Sequence, residues 1–365
     1  KTLLATTQQD LPARHRSMEA LFTHSWQLLS ASEQRIFSQL AICPGLFSIR
    51  AAMTIAKASL IDLTHLRYKS LLRSAASGYY EFHPLIRGFA LSRLASDQQT
   101  EVEARFANYY VNEVATQMTN LQDGVTHSTL QALTRELDNI HQAWQWAAQH
   151  KRDDLLLQLL EGLSSYYAVT GRNVEGRERC EALYRARFAS HQPDWSATSQ
   201  HLFLRLLDEI SRCLIWEGQL PTAQRWTEQL QDAARRLNHR DYETRAFDNL
   251  GNILHQQSKS QLGRQKAEEA LTMARELNQP ALLARVLHTL GIILGESNER
   301  AKADHCLQEA LQIQRQLGNR IVEQRILLFL CRLRMEDNDY QAAQGYLVAV
   351  TSLLQLLGNR PIEAR

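Results

Sequence analysis

The chain has 365 residues, of which 15 are Gly and 7 are Pro, together about 6% where average usage gives roughly 12%. This composition excludes collagen-like and Pro/Gly-rich disordered chains, argues against a turn-dense all-β fold, and so indicates a helical protein. With 41 Lys and Arg against 39 Asp and Glu, the net charge of +2 gives no global field that favours nucleic acid or an anionic membrane.

In chain order the sequence predicts four segments. They are a linker from a domain upstream, a winged-helix domain, a helical arm and a repeat array, at residues 1–16, 17–95, 96–153 and 154–365. The linker is expected because the chain begins with Lys1 rather than Met. The array is expected to stop within a repeat, since Ala364 and Arg365 match the start of an earlier unit. We therefore expect a piece of a longer protein.

The segment 17–95 predicts short helices followed by a β-hairpin. A capping box at Ser30 and Glu33 opens a helix that runs to residue 42, and residues 44–47 are typical of a turn. Two further short helices are predicted, at 48–56 and 60–72. Two β-rich runs then flank a turn at Gly78. Helices followed by such a two-stranded wing indicate a winged helix.

The second half of the chain repeats itself with a step of 40 residues. Leu250-Gly251 recurs as Leu290-Gly291, and small residues recur in two columns, at positions 211, 251, 291, 331 and 223, 263, 303, 343. Each unit carries two apolar stripes at helical spacing, separated by a break, which predicts a tightly packed helical hairpin that stacks on the next one. Gly or Asn after a terminal Leu predicts left-handed caps. The pattern resembles the tetratricopeptide repeat in a form of about 40 residues.

One polar column also keeps the step, and it contains only arginine. In tetratricopeptide proteins the first helix of each repeat lines the groove in which ligands bind, so the resemblance places this column in a groove, where Arg would bind acidic groups. The alternative, which repetition slightly favours, is that each Arg pairs with an acidic residue of a neighbouring repeat and stiffens the array. Positions on the same helix stripes whose residue type changes from repeat to repeat are better ligand candidates. The candidate groove residues are Arg205, Arg212, Trp216, Arg245, Asn249, Asn252, Arg285, Arg325 and Arg332.

Two segments resemble a known class of signalling ATPase. Residues 80–90 are similar to the Met-His-Asp region in the winged-helix domain of STAND-class NTPases, which include plant NB-ARC resistance proteins, apoptotic ATPases and bacterial regulators. Phe82 takes the Met place, His83 the His place, and Pro84 the place where plant members carry Asp. Residues 133–144 resemble the Leu-x-x-Glu-x-Asp-Asn-Leu-x-x-Ala-Trp segment that joins the winged helix to the repeats in bacterial members.

The resemblance implies an all-α chain with a winged helix and small β-hairpin, followed by a tetratricopeptide-like solenoid. It implies a regulatory and inducer-sensing role, in which the repeat groove binds a protein, peptide or small molecule. His83 would contact the β-phosphate of bound ADP and hold the resting state. ADP or ATP would belong to an upstream nucleotide-binding domain that interacts with the winged helix in cis, and activation would permit oligomerisation.

Missing motifs argue against catalysis by this chain. No Gly-x-x-x-x-Gly-Lys-[Ser/Thr] loop, nucleophile elbow or metal-ligand spacing occurs, so we expect no enzyme activity, no cofactor and no metal site in this part of the protein. No run of 18 apolar residues and no signal peptide occur, so we expect a cytoplasmic protein that does not bind membranes.

Two other functions stay open on the sequence. One is a DNA-binding transcription regulator whose winged helix reads a major groove and whose repeats sense a peptide. Such a domain needs clustered basic residues, whereas the predicted helix 60–72 offers only Arg67 and Lys69 beside Asp62, so nucleic acid binding is less favoured. The other is a plain protein-interaction scaffold, which fits the repeats equally well.

Overall fold

The computed structural model describes residues 21–76, 78–122, 127–189 and 195–357. These residues are mostly helical and include one small antiparallel sheet. They divide into two compact units: the first runs to Glu113 and takes in Ala132–Lys151, and the second comprises Val114–Gln131 and the chain from Arg152 onward. The predicted linker at 1–16 and the expected partial repeat at Ala364 and Arg365 lie outside the described residues.

The first unit contains short helices and the described strands. After helical residues 21–27, the elements in chain order are α1 (Ala31–Leu40), β1 (Phe47–Ser48), α2 (Ile49–Ala56), α3 (Leu60–Tyr68), β2 (Arg73–Ala76), β3 (Tyr79–Glu81), α4 (Pro84–Ser92), α5 (Ser96–Gln122), α6 (His127–Arg135) and α7 (Leu137–Gln149). Helices α5 and α6 cross the boundary between the units. The arm predicted at 96–153 is therefore divided between them, and its independence as a domain stays a prediction.

Helices α1 to α3 and the sheet form the predicted winged helix. The capping box is present, since the Ser30 N–H donates to Glu33 Oε2 at 2.8 Å and the Glu33 N–H donates to Ser30 Oγ at 3.2 Å. Strands β2 and β3 form the wing, and β1 pairs with the other side of β3, which gives the strand order β1-β3-β2. The predicted fold class is confirmed.

Three predicted boundaries in this unit are wrong. The helix expected to reach residue 42 ends at Leu40. The helix expected at 60–72 ends at Tyr68, because Ser70 adopts a left-handed φ of 59° and the chain turns toward β2. Phe47 was expected in a turn but lies in β1, where it pairs with Tyr80.

A buried polar network explains the residues at the start of α7. Asn139 is fully buried; its Nδ2 donates to the carbonyl of Leu46 at 2.6 Å and to Tyr110 Oη at 2.8 Å, while its Oδ1 accepts from the Gly45 N–H at 3.1 Å. Tyr110 Oη in turn donates to Glu136 at 2.7 Å. Because Asn139 is fully buried and its amide is satisfied by these hydrogen bonds, this network fixes α7 to the turn before β1.

The second unit is a stack of helical hairpins. Its helices are α8 (Asp153–Thr170), α9 (Asn173–Arg187), α10 (Ala197–Trp216), α11 (Leu220–Arg236), α12 (Arg240–Gln256), α13 (Ser260–Leu277), α14 (Pro280–Glu296), α15 (Arg300–Gln316), α16 (Arg320–Glu336) and α17 (Tyr340–Leu357). Helices α10, α12, α14 and α16 contact one another in sequence order, so the first helices of four successive hairpins form one layer. We call the exposed side of this layer the inner face.

The turns and close helix contacts follow the repeat. The predicted caps between hairpins are confirmed, since Asn238, Asn278 and Gly318 have φ of 57°, 51° and 68°. The small-residue columns bring helices together: a Cβ on Gly263 would lie 2.7 Å from the carbonyl oxygen of Gly251. Each hairpin therefore has a fixed geometry, which sets the positions of its inner-face side chains.

Among the residues that the structure describes, no helix has both the length and the apolar character needed to span a bilayer.

Candidate ligand-binding face of the repeats

The arginine column lies on the inner face. Arg205, Arg245, Arg285 and Arg325 occupy equivalent positions on α10, α12, α14 and α16, and each side chain is partly buried. Their helices are held at a fixed spacing by the hairpin packing, so the four guanidinium groups differ only in what surrounds them.

Asp208 is the centre of an ion-pair network. Its side chain is fully buried, and both of its oxygens accept hydrogen bonds from Arg285 at 3.1 Å, while Arg245 donates to it at 3.4 Å. Burial alone would raise the pKa of the Asp208 carboxyl, but Arg285 and Arg245 outweigh burial and hold that pKa well below its ordinary value. Asp208 is therefore a permanent anion that neutralises part of the column.

Arg285 connects three helices of the layer. Besides Asp208, its Nε donates to Asp248 at 2.8 Å and its Nη2 donates to Asn249 Oδ1 at 2.8 Å. Asn249 also donates to Asp208 at 3.2 Å and is only 3% exposed. We expected Asn249 to be a ligand candidate because it breaks the repeat pattern; the structure makes it a buried member of this network.

Glu209 neutralises the first member of the column. It accepts hydrogen bonds from Arg205 at 2.9 Å and from Arg212 at 3.1 Å. Burial raises the pKa of the Glu209 carboxyl, yet Arg212 and Arg205 outweigh it and keep the pKa below the usual range. The Glu209 carboxylate thus pairs with two arginines.

Arg325 has a different environment from the other three members. The described residues provide it with no ion pair and no hydrogen bond, and its guanidinium lies 4.4 Å from the ring centre of Trp216. Burial, and then the charges of Arg212 and Arg285, lower the pKa of Arg325 to about 10. Arg325 is still charged at neutral pH, and the charges that act on it repel it.

The sequence explains this difference. The pairs Arg245–Asp208 and Arg285–Asp248 each join residues 37 positions apart. The residue 37 positions before Arg325 is His288, which occupies the place of the aspartates. Burial and the charge of Arg325 lower the pKa of His288 to about 3, so its imidazole is neutral and cannot compensate the guanidinium. The sequence analysis did not identify Asp208, Asp248 and His288, although these residues recur with the same 40-residue step as the arginines.

The remaining groove candidates make exposed contacts. Trp216 is 60% exposed at the end of α10. Arg332 donates to Glu296 at 2.9 Å and lies 4.1 Å from the ring centre of Phe329. Asn252 accepts a hydrogen bond from Gln256 at 2.8 Å. The structure therefore gathers the predicted residues on one face, but four of the arginines pair with buried carboxylates, namely Arg205, Arg212, Arg245 and Arg285.

His83 caps a helix in the first unit. Its Nδ1 accepts from the Leu85 N–H at 3.3 Å at the start of α4. That helix is anchored by Arg87, whose Nε donates to the carbonyls of Ala41 and Cys43 at 2.9 and 3.0 Å. An imidazole that accepts through Nδ1 carries its proton on Nε2, so the free nitrogen is a hydrogen-bond donor.

Helix α3 would be the recognition helix of a DNA-binding winged helix, but its exposed side is mostly apolar. Leu60, Ile61 and Tyr68 are 56%, 67% and 77% exposed. Of the two basic residues expected on this helix, Lys69 follows its last residue and pairs with Glu33 at 3.0 Å. This surface does not offer the basic cluster that phosphate contacts require.

Comparison with known proteins gives partial likenesses. No family model matches the chain. Proteins named as HTH-type transcriptional regulators from Mycobacterium bovis and Mycobacterium tuberculosis are 28% identical over 171 residues, covering 44% of this chain and 19% of theirs. The chain thus spans about a fifth of the length of these curated relatives.

Among solved structures, the fold has distant counterparts. A STAND protein with a tetratricopeptide repeat sensor from Pyrococcus horikoshii is 14% identical, with a TM-score of 0.47 over 96% of this chain and 54% of that chain. Aspartyl phosphate phosphatase F from Bacillus subtilis is 11% identical, with a TM-score of 0.48 over 93% of this chain and 98% of that chain. At these scores neither structure bears on the function of this chain.

Proposed function

We propose that this chain is the regulatory, effector-sensing part of a larger signal-transduction or transcription regulator of the STAND class. One observation carries the sensing role: charged and aromatic side chains from four successive first helices meet on the inner face, and Arg285 alone joins α10, α12 and α14. A face whose side chains are fixed in advance by buried ion pairs loses little conformational entropy when a ligand binds.

The regulatory role rests on the first unit. In the proposal, His83 donates through Nε2 to the β-phosphate of ADP held by a nucleotide-binding domain upstream, and effector binding shifts the equilibrium away from this resting state. Two features support it: the resemblance of residues 80–90 to the Met-His-Asp region, and the Nδ1 cap that leaves Nε2 as the donor. The shift can be no larger than the difference in effector affinity between the two states.

The second candidate function is DNA binding by the winged helix, with the repeats as a peptide sensor. The names of the mycobacterial relatives favour transcription regulation for the whole protein. The apolar exposed side of α3 argues that DNA contact is made by another part of such a protein. A salt-dependent gel shift with this chain and a short duplex would instead favour DNA binding by the winged helix.

Hydrogen exchange with candidate effectors tests the sensing role. Metabolites and peptides that raise the unfolding temperature of this chain are first selected, and amide protection is then mapped. We expect protection on α10, α12, α14 and α16. Protection confined to α11, α13 and α15, on the other side of the hairpins, would contradict the proposal.

A further inference from the structure

Charge is unevenly distributed over the inner-face network. Five guanidinium groups meet three carboxylates, so the network carries an excess of two positive charges; the members are Arg205, Arg212, Arg245, Arg285 and Arg325 against Asp208, Glu209 and Asp248. Arg245 and Arg285 lie against the aspartates, and Arg205 and Arg212 share Glu209. The uncompensated charge is therefore concentrated near Arg325 and Arg212.

Arg325 contacts one exposed ring, and Arg212 lies one helical turn from the residue that carries it. Arg212 and Trp216 are one turn apart on α10, and the guanidinium of Arg325 lies over the indole of Trp216. A guanidinium that stacks through its face keeps the N–H donors at its edge for an anion. We call Arg212, Trp216 and Arg325 the arginine–indole site.

Side chains that cross the inner face limit the size of a ligand that can reach this site. Arg285 reaches from α14 to Asp208 on α10, and Arg325 reaches from α16 to Trp216 on α10. The inner face is thus crossed by its own side chains, which excludes an object as wide as a helix, about 10 Å. A group of a few atoms can still approach the guanidinium edges and the exposed part of the ring.

We propose that the arginine–indole site binds the phosphate monoester group of a small ring-bearing molecule. A phosphate monoester carries a charge of about −1.5 to −2 at neutral pH, which matches the local excess, whereas a carboxylate would leave one positive charge uncompensated. Arg325 and Arg212 donate to the phosphate oxygens, and the ring of the ligand packs against Trp216. This inference rests on the proposed sensing function and names the chemistry of its ligand.

Fluorine NMR of the whole chain labelled with 5-fluorotryptophan tests the site. The resonance of Trp216 is the one that Trp216→Phe removes. We expect phenyl phosphate to shift this resonance saturably, with a dissociation constant in the millimolar range or below, and Arg325→Gln to weaken binding by about tenfold or more. Arg240→Gln is the matched control, because Arg240 is an exposed arginine paired with Glu276, and it should change the affinity by less than about twofold.

Three further probes separate the parts of the ligand. Inorganic phosphate should bind more weakly but depend on Arg325 in the same way; phenol should not bind in the same concentration range; benzoate should bind more weakly than phenyl phosphate. The inference is overturned if phenyl phosphate at about 10 mM leaves the Trp216 resonance unmoved, if Arg325→Gln binds equally well, or if benzoate binds as tightly.

The same variants distinguish this inference from the sensing function. If an effector protects the inner-face helices but binds Arg325→Gln as tightly as the wild type, the phosphate site is wrong and the sensing role stands. If phenyl phosphate binds as expected but every effector protects only the other side of the hairpins, the sensing role is wrong and the phosphate site stands.

Discussion

Arg285 and Arg325 occupy the same position in successive repeats but have opposite surroundings. Arg285 lies between two carboxylates, and although burial disfavours its charge, Asp208 and Asp248 outweigh burial and raise its pKa. Arg325 lies on an indole; burial, and then the charges of Arg212 and Arg285, lower its pKa. Arginines at equivalent repeat positions can therefore have different roles. For Arg245, Arg285 and Arg325 the difference follows from the residue 37 positions earlier, which is an aspartate for the first two and His288 for the third.

The comparison separates two parts of one face. Around Asp208, arginines of the column pair with acidic residues of neighbouring repeats and form a closed network. This is the arrangement expected if the arginine column stiffens the array. The part around Arg325 has His288 where the two preceding repeats have an aspartate, and in our proposal its charge is available for a ligand. If that proposal holds, a difference at one position of a structural column separates a binding site from a closed network within the same fold.

The largest expected effect comes from the closed part. Asp208→Asn removes the carboxylate that pairs with Arg245 and Arg285, and Asp248 alone remains to compensate their positive charge, so we expect the free energy of unfolding of the repeats to fall by about 3–5 kcal/mol. Urea unfolding followed by circular dichroism measures it. Glu276→Gln, which breaks the exposed pair with Arg240, should cost about 0.5 kcal/mol or less. A loss below about 1 kcal/mol for Asp208→Asn would show that the network is not structural.

A smaller effect concerns pH and His288. The pKa of His288 is about 3 in the folded chain, against about 6.5 when unfolded, so below pH 6.5 the unfolded state binds the proton first. Stability from the neutral imidazole is complete above pH 6.5 and is lost as pH falls. Because the side chain is only partly buried, we expect wild type to lose at most about 1 kcal/mol more per pH unit between pH 6.5 and 5 than His288→Gln. Parallel stability–pH curves for the two proteins would contradict this account of His288.

The smallest effect is expected in the open part. Arg325→Gln removes a partly desolvated charge that has no carboxylate partner and loses only the contact with Trp216, so the free energy of unfolding should change by less than about 1 kcal/mol. Arg285→Gln is the comparison, since it leaves Asp208 and Asp248 without their main partner and should cost about 3 kcal/mol or more. Similar losses for the two variants would remove the distinction on which the account depends.

The sequence predicts the repeats well because their period is a local property of the chain. The hairpins, the left-handed turns and the close contact of Gly251 with Gly263 all follow from residue spacing. Strand β1 was missed because two residues carry no periodicity, and it exists only through its pairing with Tyr80. Tertiary context, not local pattern, creates such an element.

The site was only partly predictable for a related reason. The arginine column and Trp216 could be read from the sequence, but pairing across repeats depends on which side chains the stacking brings within reach. Asn249 illustrates the limit: its irregularity suggested a ligand contact, whereas the structure buries it against Asp208. The informative signal was the series Asp208, Asp248 and His288, which predicts that Arg325 lacks the partner that Arg245 and Arg285 have.

The affinity of His288→Asp for phenyl phosphate tests the central claim most directly. This substitution places an aspartate opposite Arg325, as in the two preceding repeats, and leaves every member of the arginine–indole site unchanged. The account predicts that the new carboxylate pairs with Arg325 and weakens phenyl phosphate binding by about tenfold or more, measured on the Trp216 resonance. Unchanged affinity in a correctly folded His288→Asp protein would contradict the claim that His288 leaves Arg325 free to bind a ligand.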